Sequence, residues 1–464
     1  MNLTASQPAH RAKHAHVRVF MLFALISLSL MLGCSVAIAA PVIALDRISV
    51  ATDGTQGNGN SSHGVISADG RFVAFDSNAS TLVPNFESAG PISVFLRDRQ
   101  LGTTELISAA LAGQPQNGYS FSPAISGDGR YVAFNSSATN LVVGGTAAGT
   151  NVFVRDRVSG TTVQASVNDG GIDTDGGGQS VFDDEVANWI SADGRYVVFH
   201  GYQKLTPNAV NGHLHLYRRD LVAHKTELVD VTPSGANGDG DGDGGSMSAD
   251  GRFILFVSSS TDIVPMSNPF GDSNLYLRDM SLGTTTSITP NLSTSSYCDG
   301  GEGNLEVYDL SPNGRYAVFY ADCTDIAPGQ DAQDHLFVRD LWLASTSYLR
   351  INADGTPSDG GVYTTISDSG RYVVFGSQST TIIPGATHNG DIYLRDRATA
   401  STYRISQRVD TGAPANNASE LSSQSKNGEI VFSSVATNLI DNDTNGYEDV
   451  YVATLDALFS SGFE

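Results

Sequence analysis

The sequence predicts an all-β fold: a seven-bladed β-propeller of four-stranded antiparallel blades, with the last blade completed by the N-terminal strand. Three observations predict it. The unit Ser191-Ala192-Asp193-Gly194-Arg195-Tyr196-Val197-Val198-Phe199 recurs from Ser67, Ser126, Ser248, Ser311 and Ser367, and in worn form around Asn427-Gly428-Glu429. A second motif, Val152-Phe153-Val154-Arg155-Asp156, also occurs seven times, starting at Val94, Val152, Leu216, Leu275, Leu336, Ile392 and Val450. Beyond residue 40 no amphipathic helical period runs through the chain. The motif glycines (Gly70, Gly129, Gly194, Gly251, Gly314, Gly370 and Gly428) lie 56 to 65 residues apart. That regularity marks a repeat architecture whose units bury their faces against one another.

Each repeat carries four strand signals. In the second repeat the first strand ends at Ala124-Ile125-Ser126, and the turn Asp128-Gly129 leads into Arg130-Tyr131-Val132-Ala133-Phe134. Glycine accepts the positive φ such a turn needs. A longer loop precedes the third strand at Val152, and a Gly-containing turn precedes the fourth at Thr161. The second strand is apolar on both alternating faces: Tyr196 and Val198 on one side, Val197 and Phe199 on the other. A strand buried on both faces belongs in a sheet sandwiched between sheets, as in a propeller blade.

The count of fourth strands predicts how the ring closes. One follows the third-strand motif six times, but after Val450-Tyr451-Val452 there is none before Glu464. The segment Ile43-Ala44-Leu45-Asp46-Arg47-Ile48-Ser49-Val50 resembles the fourth strand Ser401-Thr402-Tyr403-Arg404-Ile405-Ser406. It is expected to complete the seventh blade and to pair edges otherwise left open.

The Ser-x-Asp-Gly-Arg-Tyr-Val-x-Phe second strand and the Val-Phe-Val-Arg-Asp third strand resemble the TolB-like, WD-repeat-like β-propeller repeats of bacterial secreted and periplasmic proteins. The resemblance covers almost all of residues 43–455 and implies the fold. It implies no activity, because propellers host many unrelated functions. Seven repeats and no separate N-terminal domain set the chain apart from TolB, so a role in envelope assembly does not carry over.

Three segments follow: a signal peptide over 1–39, the propeller over 40–456 and a C-terminal tail over 457–464. A basic start (Arg11, Lys13, Arg18) leads into the apolar run Val19 to Leu32, too short to span a bilayer. Ala37-Ile38-Ala39 offers small residues for cleavage, and Leu32-Gly33-Cys34 offers a competing lipoprotein site at Cys34. The mature protein is expected to be exported, periplasmic, extracellular or at the cell surface, with no transmembrane segment, and monomeric. Two further cysteines, Cys298 and Cys323, fall in one repeat and are expected to form a disulfide. The formal charge of −23 repels phosphate backbones and anionic lipid, which argues against nucleic acid as a partner.

Six repeats place Arg at the start of the second strand (Arg71, Arg130, Arg195, Arg252, Arg315, Arg371) and Asp at the end of the third (Asp98, Asp156, Asp220, Asp279, Asp340, Asp396). The seventh has Glu429 and Thr454 there, losing both members together, as expected of structural ion pairs. Binding is expected on the opposite face, where the long loops gather. The sharpest candidate is the run 441–449. Asp441, Asp443, Asn445 and Asp449 supply oxygens at positions 1, 3, 5 and 9, Gly446 provides the turn, and Tyr447 can offer a carbonyl. That is the front half of a calcium loop, lacking the acid at position 12, where Val452 stands. The resemblance agrees, since Asp-x-Asn-Gly-x-x-Asp recurs before the third strand in such repeats. A solvated turn held by Asx hydrogen bonds is the plain alternative. Asp239-Gly-Asp241-Gly-Asp243, and the insert with Asp173, Asp175, Asp183, Asp184 and Glu185, are expected to be solvated, disordered acid. His213, His215, His335 and His388 lie in long loops, but no nucleophile elbow accompanies them. The sequence thus favours a non-catalytic platform, calcium-binding, for a protein or glycan on the long-loop face. The competing reading is a glycan-active enzyme of the lyase or lactonase type.

Overall fold

The computed structural model describes residues 42–464 except 85, 87–91, 112–115, 145, 147–148, 173–179, 182–188, 211, 266–272, 290–307, 322–325, 329–334, 350–351, 353–361, 385, 387–389, 461 and 464. The proposed signal peptide, Cys34, the Cys298–Cys323 pair, His388 and the acids of the 173–185 insert lie outside the described residues, as does the side chain of His335.

The described residues form seven antiparallel four-stranded sheets. Six take their strands in chain order from the axis outward: blades 61–106, 120–164, 180–228, 242–287, 308–348 and 362–404. The seventh, 419–455, receives its outermost strand from the other end of the chain: β1, Val42–Arg47. β1 pairs with the strand Asp449–Leu455, with Val42 opposite Leu455 and Arg47 opposite Tyr451. Among the described residues no helix is long and apolar enough to cross a membrane.

The repeated motif builds each blade in the same way. The second strand is buried on both faces, and Val197, Val198 and Phe199 are inaccessible to solvent. Burying a side chain of this size stabilises by roughly 1.5–3 kcal/mol, so the seven copies supply much of the core. At the turn before it, Ser191 Oγ donates to Asp193 Oδ1 (2.6 Å), while the Arg195 and Tyr196 amides donate to Asp193 Oδ1 (3.0 Å) and Ser191 Oγ (2.9 Å). Gly194 has φ +72°, and a Cβ there would come within 2.1 Å of the Tyr131 ring of the preceding blade. Glycine is therefore required twice over, for conformation and for the seam between blades.

All six predicted Arg–Asp pairs form, with Nη2–Oδ2 distances of 2.7–2.8 Å. Each guanidinium also lies over the aromatic ring that follows it, 4.6–4.9 Å from the centroid. A second repeated contact was not anticipated. The third-strand arginines Arg97, Arg155, Arg219, Arg278, Arg339 and Arg395 each donate to a fourth-strand threonine hydroxyl at 2.7–3.1 Å. Blade 7 has Ala453 in place of that arginine, and it faces Leu45 of β1. Here both polar partners are replaced by apolar residues together, just as the turn-end pair loses its Arg and its Asp together, to Glu429 and Thr454.

Candidate functional site

The connections entering each inner strand, and those between second and third strands, emerge on one face. Two sites on it hold converging polar side chains: the 441–449 loop, and an axial mouth where blade 1 meets blades 7 and 2 along the inner strands.

In the loop, three of the five predicted residues come together around an arginine. Arg47 of β1 reaches Asp443 Oδ1 at 3.1 Å and Asp449 Oδ2 at 3.3 Å, and all three side chains are at most 5% exposed. Ser49 Oγ donates to Asp449 Oδ1 (2.6 Å), Tyr451 Oη to Asp443 Oδ2 (3.1 Å), and Asn445 Nδ2 to Asp449 Oδ2 (3.2 Å) and the Gly57 carbonyl (3.1 Å). Asp441 points elsewhere and pairs with Arg408 at 2.6 Å. Tyr447 is exposed, and its amide donates to Asn445 Oδ1 (3.2 Å). A calcium ion seeks six to eight oxygens. Here Asn445 presents its amide nitrogen and the Arg47 guanidinium stands between the acids, so as arranged the two carboxylates are compensated by an arginine that an ion would have to displace. Blade 6 repeats the arrangement. Arg404 Nε lies 3.3 Å from Asp391 Oδ2, and Ser406 Oγ donates to Asp391 Oδ1 at 2.8 Å. Asp449 thus holds a scaffold position, the first residue of the third strand, and Asp443 adds a second carboxylate to it. Burial pushes the Asp449 carboxyl up, against the Ser49 and Arg47 contacts.

The axial mouth was not foreseen. Asp76, 2% exposed, is the penultimate residue of the second strand of blade 1, Phe72–Ser77. It accepts from Ser62 Oγ (3.0 Å), lies 2.8 Å from His63 Nδ1, and accepts the Ser122 amide of blade 2 (2.9 Å). His63 and Ser122 sit at bulges in the inner strands with φ of 49° each, a backbone state that costs a non-glycine residue energy. Nearby, Glu448 accepts from Ser433 Oγ (2.5 Å). Burial pushes its carboxyl up, reinforced by the charges of Glu420 and Asp76 and opposed by Ser433 and His63. These groups therefore share one local field. A serine relay is not built here: Ser62 lies 3.4 Å from Nδ1, the same nitrogen that faces Asp76, whereas a relay places serine and aspartate on opposite ring nitrogens.

The Asp239–Asp243 run corrects the expectation of solvated disorder. Asp239 Oδ1 accepts the Thr261 amide (2.6 Å), Asp241 Oδ1 accepts the Leu214 amide (2.9 Å), and Asp243 Oδ1 lies 2.7 Å from His200 Nδ1. Alternation with glycine lets successive carboxylates reach different neighbours. His215 is wholly buried against Asp230 at 3.2 Å; burial pulls its pKa down, but Asp230 prevails and the net direction is up. His213 faces Asp241 at 3.3 Å. Among the described residues no three His, Cys, Asp or Glu side chains are grouped to hold a metal ion. The one sequence signal for the axial mouth is a charged residue, Asp76, near the end of a strand otherwise buried on both faces.

This geometry is that of a seven-bladed propeller with a polar axial mouth. No protein-family profile matches the sequence, and no curated protein matches it. Among solved structures it is similar to an oligogalacturonate lyase from Vibrio parahaemolyticus, at 12% identity over 90% of this chain and 98% of that one, with a TM-score of 0.51. It is similar to an oligogalacturonate lyase in complex with manganese, at 13% identity over 92% and 100% of the two chains, with a TM-score of 0.50. It also resembles, more distantly, TolB from Acinetobacter baumannii, at 14% identity with a TM-score of 0.38. That match covers 74% of this chain and 62% of the TolB chain, so the protein spans about three fifths of TolB's length. Likeness at these identities speaks to the fold.

Proposed function

We propose that the protein is an exported, non-catalytic binding platform that takes a neutral, hydroxyl-rich glycan at the axial mouth of the long-loop face. The observation that carries this reading is the Asp76–His63 pair of blade 1 with Glu448 of blade 7 beside it, held there by the Ser61 amide donating to the Glu448 carbonyl (2.9 Å) and the Glu448 amide donating to Asn60 Oδ1 (3.1 Å). Carboxylates accept hydrogen bonds from sugar hydroxyls. Tyr119, Tyr202 and Tyr447, each 44–55% exposed in the loops of the same face, offer amphipathic rings to a sugar. The acidic charge of the chain disfavours polyanionic glycans. A protein partner on this face is the competing occupant, and a lyase or lactonase activity is the competing chemistry.

Calcium enters the proposal as a competitor of Arg47. An ion at Asp443 and Asp449 has to displace the guanidinium, so binding and ring closure are coupled. Melting with calcium and with chelator tests this, and an unchanged midpoint removes calcium.

The platform is tested by titrating the purified protein with neutral, cationic and polyuronate oligosaccharides, following heat and product together. Saturable binding of a neutral glycan without product, lost in Asp76→Asn, supports it. Cleavage of any of them moves the protein to the enzyme class. Absence of binding across the set overturns the glycan reading and leaves the protein partner.

A further inference from the structure

On the opposite face, where the Ser-x-Asp-Gly turns surround the axis, neighbouring blades meet by a repeated pair of contacts. The turn glycine of one blade lies against the first aromatic of the second strand of the blade before. A Cβ on Gly129, Gly194, Gly251, Gly314 or Gly370 would come within 2.1–2.6 Å of Phe72, Tyr131, Tyr196, Phe253 or Tyr316 respectively. A backbone bond accompanies it from the second residue of one turn to that of the next. The amides of Ala68, Gly127, Ala192 and Ala249 donate to the carbonyls of Gly127, Ala192, Ala249 and Pro312 at 2.7–3.0 Å.

At the seam between blades 6 and 7 both contacts are made by the C-terminal tail instead. A Cβ on Gly462 would lie 2.4 Å from the Tyr372 ring, and the Asp368 amide donates to the Phe463 carbonyl at 3.1 Å. Phe463, 1% exposed, stacks on Tyr372 with centroids 4.8 Å apart. Phe459 packs edge-on against Tyr403 at 5.1 Å. The helical turn Ala457–Ser460 supplies the reversal that brings the chain end back from the seventh blade. Phe463 also forms part of the wall of an axial cavity of about 90 Å³, with Ile66, Ile125, Ile190, Met247 and Ile366.

We propose that the seam between blades 6 and 7 is a recognition seat for a Phe-x-x-Gly-Phe peptide segment, filled here by the chain's own Phe459 to Phe463. The seat reads a glycine, because Tyr372 leaves no room for a side chain, followed by an aromatic ring that Tyr372 stacks. The tail is thereby a second closure of the ring, made by the end of the chain opposite to β1, and the seat is vacated whenever the tail leaves.

A variant lacking residues 457–464 and the synthetic peptide of those eight residues test the proposal. The truncated protein is expected to melt lower, by on the order of 5 °C, and to bind the peptide one to one, recovering the midpoint. A peptide with the Gly462→Val change is expected not to bind. If truncation prevents folding, the full-length Gly462→Val and Phe463→Ala variants replace it, read by carboxypeptidase digestion of the tail, which is expected to be slow in the native protein and at least tenfold faster in either variant. A truncated protein with an unchanged midpoint and no affinity for the peptide overturns the seat. So does a tail digested equally fast in native protein and variants.

Discussion

Blades 1–6 and blade 7 meet the same requirement by different means. The first six are assembled from contiguous chain, and each fixes its turn end by an Arg–Asp pair and its outer edge by an Arg–Thr contact. Blade 7 has neither. It takes its outer strand from residues 42–47, locks that strand through Arg47 and Ser49 onto Asp443 and Asp449, and has the chain end wedged into its seam with blade 6. The difference follows from chain entropy. A contiguous blade closes short loops, whereas blade 7 joins residues about four hundred apart, and a longer loop costs more to close. Buried, charge-compensated contacts at that position fix the register that a short turn fixes elsewhere.

The comparison breaks most completely if β1 is removed. Deleting residues 41–50 strips blade 7 of its outer strand and leaves Asp443 and Asp449 without their arginine. An aggregating or unfolded product is expected by size-exclusion chromatography and circular dichroism, and a soluble variant with unchanged melting would refute closure by β1. Arg47→Ala is the next largest change. Leaving buried carboxylates uncompensated costs about 3–5 kcal/mol. Arg404→Ala in blade 6, which removes the arginine facing Asp391, is expected to cost less by chemical denaturation. Equal losses would show that Asp443 adds nothing to the lock.

The smallest effect is expected in the regular blades. The Arg71 guanidinium hydrogen-bonded to Asp98 holds that carboxyl below the usual aspartate range, against an opposing push from burial. A depressed carboxyl contributes stability at pH values above its unfolded pKa and loses it as pH falls through the folded value. Arg71→Gln should therefore lower the midpoint slightly near neutral pH, with the gap to the native protein closing in acid. A gap that widens in acid would reverse the assignment. The partly exposed guanidinium keeps the effect small.

The six Arg–Asp pairs were legible because a pair that vanishes together from one repeat betrays a contact, and a repeat supplies that comparison inside a single chain. The Arg–Thr contacts were equally present in the text, and the same test applied to Ala453 and Leu45 would have found them. The 441–449 loop was legible as an acidic cluster but not in its partner. Arg47 lies nearly four hundred residues away, and only the ladder register that places it opposite Tyr451 brings it between Asp443 and Asp449. The axial mouth was hardest to read, since His63 reaches Asp76 through a bulge with a left-handed residue that no pattern of side-chain types announces.

By itself the sequence determined the number of blades, the strands within each, the turn glycines and the closing strand, because these depend on side-chain period and turn chemistry that act over a few residues. Tertiary structure alone decided which cation meets the acids of blade 7, which groups gather at the axial mouth, and where the chain end goes. Those depend on distances between blades, set only when the ring is complete.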